Sequence, residues 1–400
     1  MSMTTDMLPE DIILEILARV PDAPALLRCA ATCKRWRALV ANPLFLRRRW
    51  PDLAYYLLGF FAPKNLNGGD EGPTPRSAVA AGHRLLRSFV PDAAGLPADI
   101  VYPLTSQDGL LLLRLFNYRP KQTGGVVLAV RNLLAGTCVV LPPFKWGIES
   151  VGHAVLTSAD CRASFKVLTI VAGKTDYELH TFVAGQPSWS APTKCLSRAA
   201  PKFLIMHTDA VVCQGAAHWL FCESSSFHVL HVDAETGRVS STKLTSPISS
   251  GPPVDGLDLK VQRGRRRLAT TTDGKLLSLC LYDAALKQVE IWTQPAPAAG
   301  HGQDWPRTGV IDLKPILDLE QPQGAVPYVW QLRRRCGNGK LLIMLAYRHA
   351  YIANLQTGTM QEVDNMSSSG YITGDVVGVE IDWTTFFMAR LASARKLITI

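Results

Sequence analysis

The sequence predicts a small N-terminal helical segment, residues 1–51, followed by an all-β domain over residues 101–400. Two observations support this division. Residues 8–50 contain no glycine, whereas the rest of the chain holds all thirty. Apolar residues recur at helical spacing in the first part, and they form short runs separated by turn residues in the last part. Residues 52–100 show a mixed pattern and are predicted to connect the two.

The N-terminal segment is predicted to form about three helices. The first carries an apolar stripe at i, i+3, i+4 and i+7, formed by Ile13, Ile16, Leu17 and Val20. Pro9 suits its first position, and Pro21 ends it. A second helix is predicted from Pro24 to Leu39, and a short third one follows Asn42-Pro43. A domain of about forty residues is marginal alone, so another protein surface is expected to cover part of its apolar surface.

Four motifs of this segment occur in a diagnostic order: Leu8-Pro9, Glu15-Ile16-Leu17-Ala18-Arg19-Val20-Pro21, Cys33-Lys34-Arg35-Trp36-Arg37-Ala38-Leu39 and Pro43-Leu44-Phe45. In this order and spacing they closely resemble the F-box. One departure is Ala31, where the family often has a bulkier valine. The resemblance implies that the helices dock onto a Skp-type adaptor, which links them to a cullin–RING ubiquitin ligase.

The same resemblance implies which residues form or support the apolar adaptor interface. They are Leu8, Pro9, Ile13, Leu14, Leu17, Leu26, Leu27, Cys33 and Trp36. Leu8, Pro9 and Leu14 are predicted to make direct contact, because Pro9 opens the first helix and Leu14 lies off the main stripe. For any one of the nine residues, packing inside the helical segment is at least as good an interpretation.

Weak internal repeats predict the architecture of the all-β domain. A glycine followed by an apolar strand recurs at Gly109, Gly215, Gly274 and Gly339. A second pattern, Asn or Asp with glycine four places later, recurs at Asn132–Gly136, Asp233–Gly237 and Asn354–Gly358. Its glycines are 101 and 121 residues apart, which is about twice the ~50-residue period of kelch-type blades. The sequence therefore predicts a β-propeller of about six kelch-like blades, with Asx-Gly turns between adjacent strands.

One stretch of this domain resembles the first blade of the C-terminal propeller-like domains found behind the F-box in a large plant family. It runs Val130-Arg131-Asn132-Leu133-Leu134-Ala135-Gly136-Thr137-Cys138-Val139-Val140-Leu141-Pro142-Pro143. A strand within Leu53–Phe61 is predicted to close the ring with the segment that begins at Asp382. A β-sandwich or a twisted stack of open sheets is the structural alternative.

Composition excludes several classes of protein. Hydrophobic residues make up 47% of the chain and charged residues 19%, so a disordered chain is excluded. Nine scattered cysteines without a CxxC pair argue against a disulfide framework and a zinc site. No secretory signal is visible, and the apolar run Leu53–Ala62 is too short to span a bilayer. We therefore expect an intracellular protein of the nucleus, the cytoplasm or both, without membrane partners.

No catalytic motif is found in the sequence. GxSxG, the P-loop, HExxH and GxGxxG are all missing. His228 and His231 are three apart, so on a strand they would lie on opposite faces and could not share a metal ion. His218 is interpreted as a packed strand residue. No catalytic residue, cofactor or metal ligand is predicted.

Two short basic clusters, Arg263–Arg267 and Arg333–Arg335, could contact nucleic acid, a membrane headgroup or an acidic substrate. Both precede predicted strands, and no RNA-binding aromatic signature accompanies them. They are interpreted as solvated loops at blade edges, and nucleic acid is not an expected partner.

The sequence thus predicts a non-catalytic substrate-recognition subunit of a Skp–cullin–F-box ubiquitin ligase. Its helices would bind the adaptor, and its propeller loops would bind a target protein. The alternative is a stand-alone β-propeller hydrolase or carbohydrate-binding module with a packed N-terminal helical cap.

Overall fold

A computed structural model describes the chain over residues 8–20, 23–49, 56–62, 74–77, 100–116, 127–133, 137–143, 150–157, 164–197, 204–205, 210–223, 226–244, 266–271, 274–282, 288–295, 305–313, 329–335, 340–345, 349–355, 357–362 and 377–381. The chain divides into two compact units. One comprises Met1–Tyr56, Leu133–Gly136 and Ile381–Ile400, and the other comprises Leu57–Asn132 and Thr137–Glu380. Within the described ranges, no helix has both the length and the apolar character of a membrane span.

The helical unit contains four described helices, one more than predicted. They are α1 (Glu10–Ala18), α2 (Ala23–Thr32), α3 (Lys34–Val40) and α4 (Pro43–Arg49). The predicted second helix is divided at Cys33, whose backbone is extended with φ −153° and ψ 163°. The Cys33 Sγ accepts a hydrogen bond from the Trp36 backbone N–H at 3.4 Å, which caps α3 and starts a new helix.

The β unit is built from antiparallel sheets that follow one another along the chain. Sheet A contains β1 (Tyr56–Ala62), β2 (Thr74–Ser77) and β24 (Val377–Ile381). Sheet B contains β3 (Ile100–Gln107), β4 (Leu110–Phe116), β5 (Val127–Asn132) and β6 (Thr137–Val140). Sheet C contains β7 (Ser150–Thr157), β8 (Phe165–Ala172), β9 (Asp176–Val183) and β10 (Thr193–Ser197).

Three more sheets follow in chain order. Sheet D contains β11 (Leu204–Ile205), β12 (Val211–Cys213), β13 (Ala216–Glu223), β14 (Ser226–Asp233) and β15 (Val239–Lys243), with β11 and β12 both paired to β13. Sheet E contains β16 (Arg266–Thr270), β17 (Leu276–Tyr282), β18 (Gln288–Thr293) and β19 (Arg307–Asp312). Sheet F contains β20 (Val329–Arg335), β21 (Lys340–Leu345), β22 (His349–Asn354) and β23 (Met360–Glu362). The prediction of helices followed by an all-β domain is confirmed, while the number of blades stays a prediction.

Sheet A joins strands from the two ends of the β unit. Strand β1 lies between β2 and β24 in this sheet. The Ser106 hydroxyl of β3 donates a hydrogen bond to the Gly378 carbonyl of β24, which connects sheets A and B. The strand predicted within Leu53–Phe61 is therefore present as β1, and its partner β24 ends one residue before Asp382. The predicted partner segment, Asp382–Phe387, lies outside the described residues.

Apolar side chains fill the space between successive sheets. One cluster joins B to C, and others join C to D, D to E and E to F. Sheet C shows the arrangement best, because Val167 packs toward sheet B while Leu168 and Ile170 pack toward sheet D. Alternate residues of one strand thus enter two different cores, which is how a sheet becomes buried on both faces.

Three glycines of the first repeat lie in the turns before β4, β13 and β17, and the fourth, Gly339, lies outside the described residues. Gly109, Gly215 and Gly274 have φ of 80°, 72° and 81°. The residues before the first two, Asp108 and Gln214, also have positive φ, at 49° and 50°. Two consecutive positive-φ residues define the type I′ turn, which suits a tight hairpin. The turn at Gln214-Gly215 also divides the apolar run Val211–Trp219 into β12 and β13.

The second repeat forms the turns before the last strands of sheets D and F. Gly237 and Gly358 have φ of 69° and 70°. Their N–H groups donate to the Asp233 and Asn354 carbonyls at 3.0 and 2.8 Å. The Asp233 carboxylate also accepts from the Thr236 backbone N–H at 2.7 Å, and this bond lowers the pKa of Asp233. The Asx-Gly turns predicted at Asp233–Gly237 and Asn354–Gly358 are confirmed. Gly136 of the remaining copy, Asn132–Gly136, lies outside the described residues.

The loop interpretation of the basic clusters is wrong for most of their members. Arg266 and Arg267 lie in β16 and are buried, and the cluster Arg333–Arg335 lies at the end of β20. The Arg266 guanidinium carbon lies 4.4 Å from the centroid of the Phe227 ring of sheet D. A cation that lies over an aromatic face can be buried. The run of arginines in the sequence does not reveal this aromatic partner.

Replacing Gly237 with alanine should destabilise the β unit. An L-residue in the left-handed region costs about 1–2 kcal/mol, and no neighbouring atom would contact the added Cβ. The loss in the free energy of unfolding is measured by urea unfolding, with circular dichroism as the signal. Gly309→Ala is the matched control, because Gly309 lies in β19 without a positive φ, and its Cβ would meet Ile291 at an ordinary 3.4 Å. Equal losses for both variants would contradict the role of the turn.

His153 of β7 should make the β unit sensitive to acid. It is 2% exposed, and burial lowers its pKa from 6.5 to about 3, with the charge of Arg114 adding to the effect. Between these values the unfolded chain binds a proton that the folded chain does not, so stability should fall as the pH drops below 6.5, by up to about 1.4 kcal/mol per pH unit. The measurement is urea unfolding at pH 7.5 and pH 5 for the wild type and His153→Asn. An unchanged pH dependence in the variant would contradict this assignment.

Candidate protein-interaction surface

The four helices pack on one another, and α3 contacts each of the other three. All four contribute buried apolar residues: Ile13, Leu17, Leu26, Ala30, Leu39, Val40, Phe45 and Leu46. On α1, Ile13 and Leu17 are one turn apart and are 2% and 0% exposed. Helix α1 therefore presents one narrow apolar face to the rest of the unit.

A second apolar surface on α1 lies in solvent. Ile12 and Ile16 lie one turn apart on α1 and are 45% and 41% exposed, and Leu8, two residues before the helix, is 51% exposed. We call these three residues the α1 stripe. On α4, Leu44 is 73% exposed. A unit of this size that leaves four large aliphatic side chains in water has surface that another protein can cover.

The nine residues predicted for the adaptor interface fall into two groups. Leu8, Pro9 and Cys33 are exposed, and Leu14 and Trp36 are half-buried. Ile13, Leu17 and Leu26 are buried in the helical unit, so they support the surface from within. The side chain of Leu27 lies outside the described residues.

The predicted direct contacts sit at the start of α1. Pro9 precedes the helix with φ −52° and ψ 150°, and its carbonyl accepts from the Ile13 N–H at 3.1 Å. Glu10 and Asp11 occupy the first turn, as expected for the positive end of the helix dipole. Leu8 is thereby held at the N-terminal end of the α1 stripe.

Sequence reasoning missed part of this surface. Ile16 was predicted to share the stripe of Ile13 and Leu17, but it is exposed and belongs with Leu8 and Ile12. The i, i+4, i+8 spacing of these three residues is visible in the sequence. It shows that two overlapping stripes exist on α1, and burial shows which of them faces the core.

Ion pairs around the surface contribute little to its shape. Arg19 and Glu15 pair at 3.1 Å on the exposed side of α1, and Arg35 lies 3.9 Å from Glu10. Exposed pairs of this kind are worth about 0–1 kcal/mol. The helical unit is therefore held mainly by its apolar core, and charges border the α1 stripe.

Comparison with known proteins gives this unit a class. The F-box-like family model matches residues 5–50. An Arabidopsis thaliana protein whose name assigns it to the F-box proteins is 49% identical over 43 residues, an alignment that spans 11% of this chain and 11% of the relative. The N-terminal helices therefore form an F-box-like domain, followed by an all-β domain.

Several solved structures resemble the chain distantly. The Dos1 propeller matches with a TM-score of 0.34 and 13% identity, covering 69% of this chain and 62% of the other. Sqt1 of Saccharomyces cerevisiae matches with a TM-score of 0.36 and 9% identity, covering 68% and 61%. Prolyl oligopeptidase B of Galerina marginata matches with a TM-score of 0.36 and 10% identity, covering 79% and 43%. Scores this low do not establish a shared fold, so the architecture is defined by the order of the sheets.

The two stripes of α1 should respond differently to truncation. Leu17→Ala should destabilise the helical unit by about 2–5 kcal/mol, because it opens a cavity in the core. Ile16→Ala should change stability by only about 0.5 kcal/mol, because its side chain is largely in water. Thermal unfolding of the full chain followed at 222 nm measures both. A loss at Ile16 as large as that at Leu17 would contradict the assignment of the stripes.

Proposed function

We propose that this chain is the substrate-recognition subunit of a Skp–cullin–F-box ubiquitin ligase. Residues 1–51 would bind a Skp-type adaptor, and residues 101–400 would bind a target protein. Residues 52–100 would connect these two parts of the chain. The protein would work inside the cell, in the nucleus, the cytoplasm or both. The alternative of a stand-alone hydrolase or carbohydrate-binding module is not better supported.

The α1 stripe carries the proposal. Leu8, Ile12 and Ile16 are large, aliphatic and exposed within a domain of the F-box-like class. Burial of such side chains in a partner gains about 25 cal/mol for each Å² of apolar area removed from water. Helix-in-groove binding uses apolar anchors about one turn apart along one helix face, as Ile12 and Ile16 are on α1.

The β unit would supply the choice of target. Its sheets are closely packed between apolar cores, so they form a rigid support for the segments that connect the strands. Connecting segments on a rigid support are where binding specificity usually resides. No chemical step is assigned to this chain, because a tethered target gains reactivity through its raised effective concentration near the conjugating enzyme.

Charge introduced into the α1 stripe should abolish adaptor binding. The full chain is immobilised, and capture of a purified Skp-type adaptor is measured for the wild type, Ile12→Glu and Ile16→Glu. Each substitution would bury an unpaired carboxylate at the interface, so we expect binding to weaken by at least about a hundredfold.

Val310→Glu is the matched control, because Val310 and Ile12 are both 45% exposed and Val310 lies on β19 of the β unit. This variant should bind the adaptor like the wild type. Capture that is unchanged by Ile12→Glu and Ile16→Glu would place the interface elsewhere. A wild-type chain that captures no adaptor would overturn the proposed function.

A further inference from the structure

Two histidines that are far apart in the sequence meet in sheet D. His218 of β13 and His231 of β14 are directly opposite residues in the antiparallel register. Their Nδ1 atoms are 2.7 Å apart, and their rings lie edge to face with centroids 4.9 Å apart. His218 is 6% exposed and His231 is half-buried, so the pair lies just below the surface.

The outer nitrogen of each ring also has an oxygen partner. The Nε2 atom of His218 lies 3.4 Å from the Cys213 carbonyl, and that of His231 lies 3.0 Å from the Thr242 hydroxyl. Because a carbonyl only accepts, the Cys213 contact favours the tautomer of His218 that carries its proton on Nε2 and leaves the lone pair on Nδ1, the nitrogen next to His231. In the metal-free pair, His231 Nδ1–H then donates to His218 Nδ1, and the Thr242 hydroxyl donates to His231 Nε2.

Histidines that bind metals have this same arrangement. A ligating imidazole usually donates its outer N–H to a carbonyl or another oxygen, which fixes the ring and turns the inner nitrogen toward the ion. The neutral form of the ring is the one that binds. The oxygen partners of the outer nitrogens hold the two Nδ1 atoms on the inner side of the pair, where a cation can replace the hydrogen bond between them.

We propose that the Nδ1 atoms of His218 and His231 form a two-histidine site for a divalent transition-metal ion of tetragonal preference, Ni²⁺ or Cu²⁺. Bonds of about 2.0–2.1 Å from two nitrogens 2.7 Å apart meet at about 80° at the metal, close to the right angle of square-planar and tetragonal geometry. Tetrahedral Zn²⁺ would require the two nitrogens to separate further, to about 3.3 Å.

The protons balance when the ion enters. His231 loses the proton on Nδ1 and gains one on Nε2, so the pair keeps two ring protons in total. The Thr242 hydroxyl then changes from donor to acceptor. Within the part of the chain that the structure describes, no three His, Cys, Asp or Glu side chains gather as a metal site, so the proposed site offers the ion two protein ligands.

The chain provides a close control on the same strand. His228 of β14 lies three residues before His231, pairs with Phe221, and stacks on the Phe221 ring with centroids 5.1 Å apart. It belongs to the other face of the sheet, as predicted from the spacing. His228→Gln therefore removes a histidine from the same strand without changing the proposed site.

Calorimetric titration of the full chain with Ni²⁺ tests the site. Ni²⁺ is the probe because it is not reduced by thiols, and the chain has nine cysteines. We expect the wild type and His228→Gln to bind one Ni²⁺ ion with the same affinity. His218→Gln and His231→Gln should each weaken that binding by at least about tenfold, since each removes one of two ligands.

A wild-type chain that binds no Ni²⁺, or single variants that bind like the wild type, would overturn the proposal. X-ray absorption of the wild-type complex is a second measurement that does not depend on the folding of variants. Scattering from two imidazoles is expected. Nickel–sulfur scattering would place the ion on cysteine thiols and would also overturn the proposal.

Discussion

The β unit depends on one constraint, which is that its four-stranded sheets are apolar on both faces. A sheet of this kind that packed on one side only would expose its other apolar face to water, so it is stable only between two neighbouring sheets. Sheet C meets this need with two separate cores, one shared with B and one with D. The same condition explains why β1 and β24 pair within sheet A although they come from opposite ends of the unit. An array that must bury every face gains by joining its terminal strands into one sheet.

Burial on both faces also explains which features the sequence could predict. Strands such as Leu110–Leu113 are continuous apolar runs, and the positive-φ glycines that separate them are local signals that need no knowledge of the fold. The helices, the strands and the turns could therefore be placed from short stretches of chain. Boundaries were less secure, because the division at Cys33 depends on a single thiol that caps α3.

Features that depend on strand register could not be predicted in this way. His218 and His231 are thirteen positions apart, and only the pairing of β13 with β14 shows that they share a face and touch. The same holds for Arg266, which is buried because the Phe227 ring of the preceding sheet lies beneath it. Glu290 is likewise buried but receives hydrogen bonds from Arg307 and Trp292. Phe227 and Arg307, which accommodate these buried charges, lie on other strands, and composition alone assigns such charges to solvent.

The helical unit differs from the β unit, because it leaves part of its apolar surface in water. Its periodicity was sufficient to identify α1, yet two apolar stripes overlap on this helix and three short neighbouring helices can cover only one of them. The unit buries Ile13 and Leu17 and leaves Leu8, Ile12 and Ile16 in water. The exposed valines of the β unit, Val139, Val140 and Val310, lie on the edge strands β6 and β19 instead of along one helix face. A chain whose described sheets bury apolar faces against one another, while its helical unit leaves large apolar side chains in water, has a physical reason to associate with another protein through the helices.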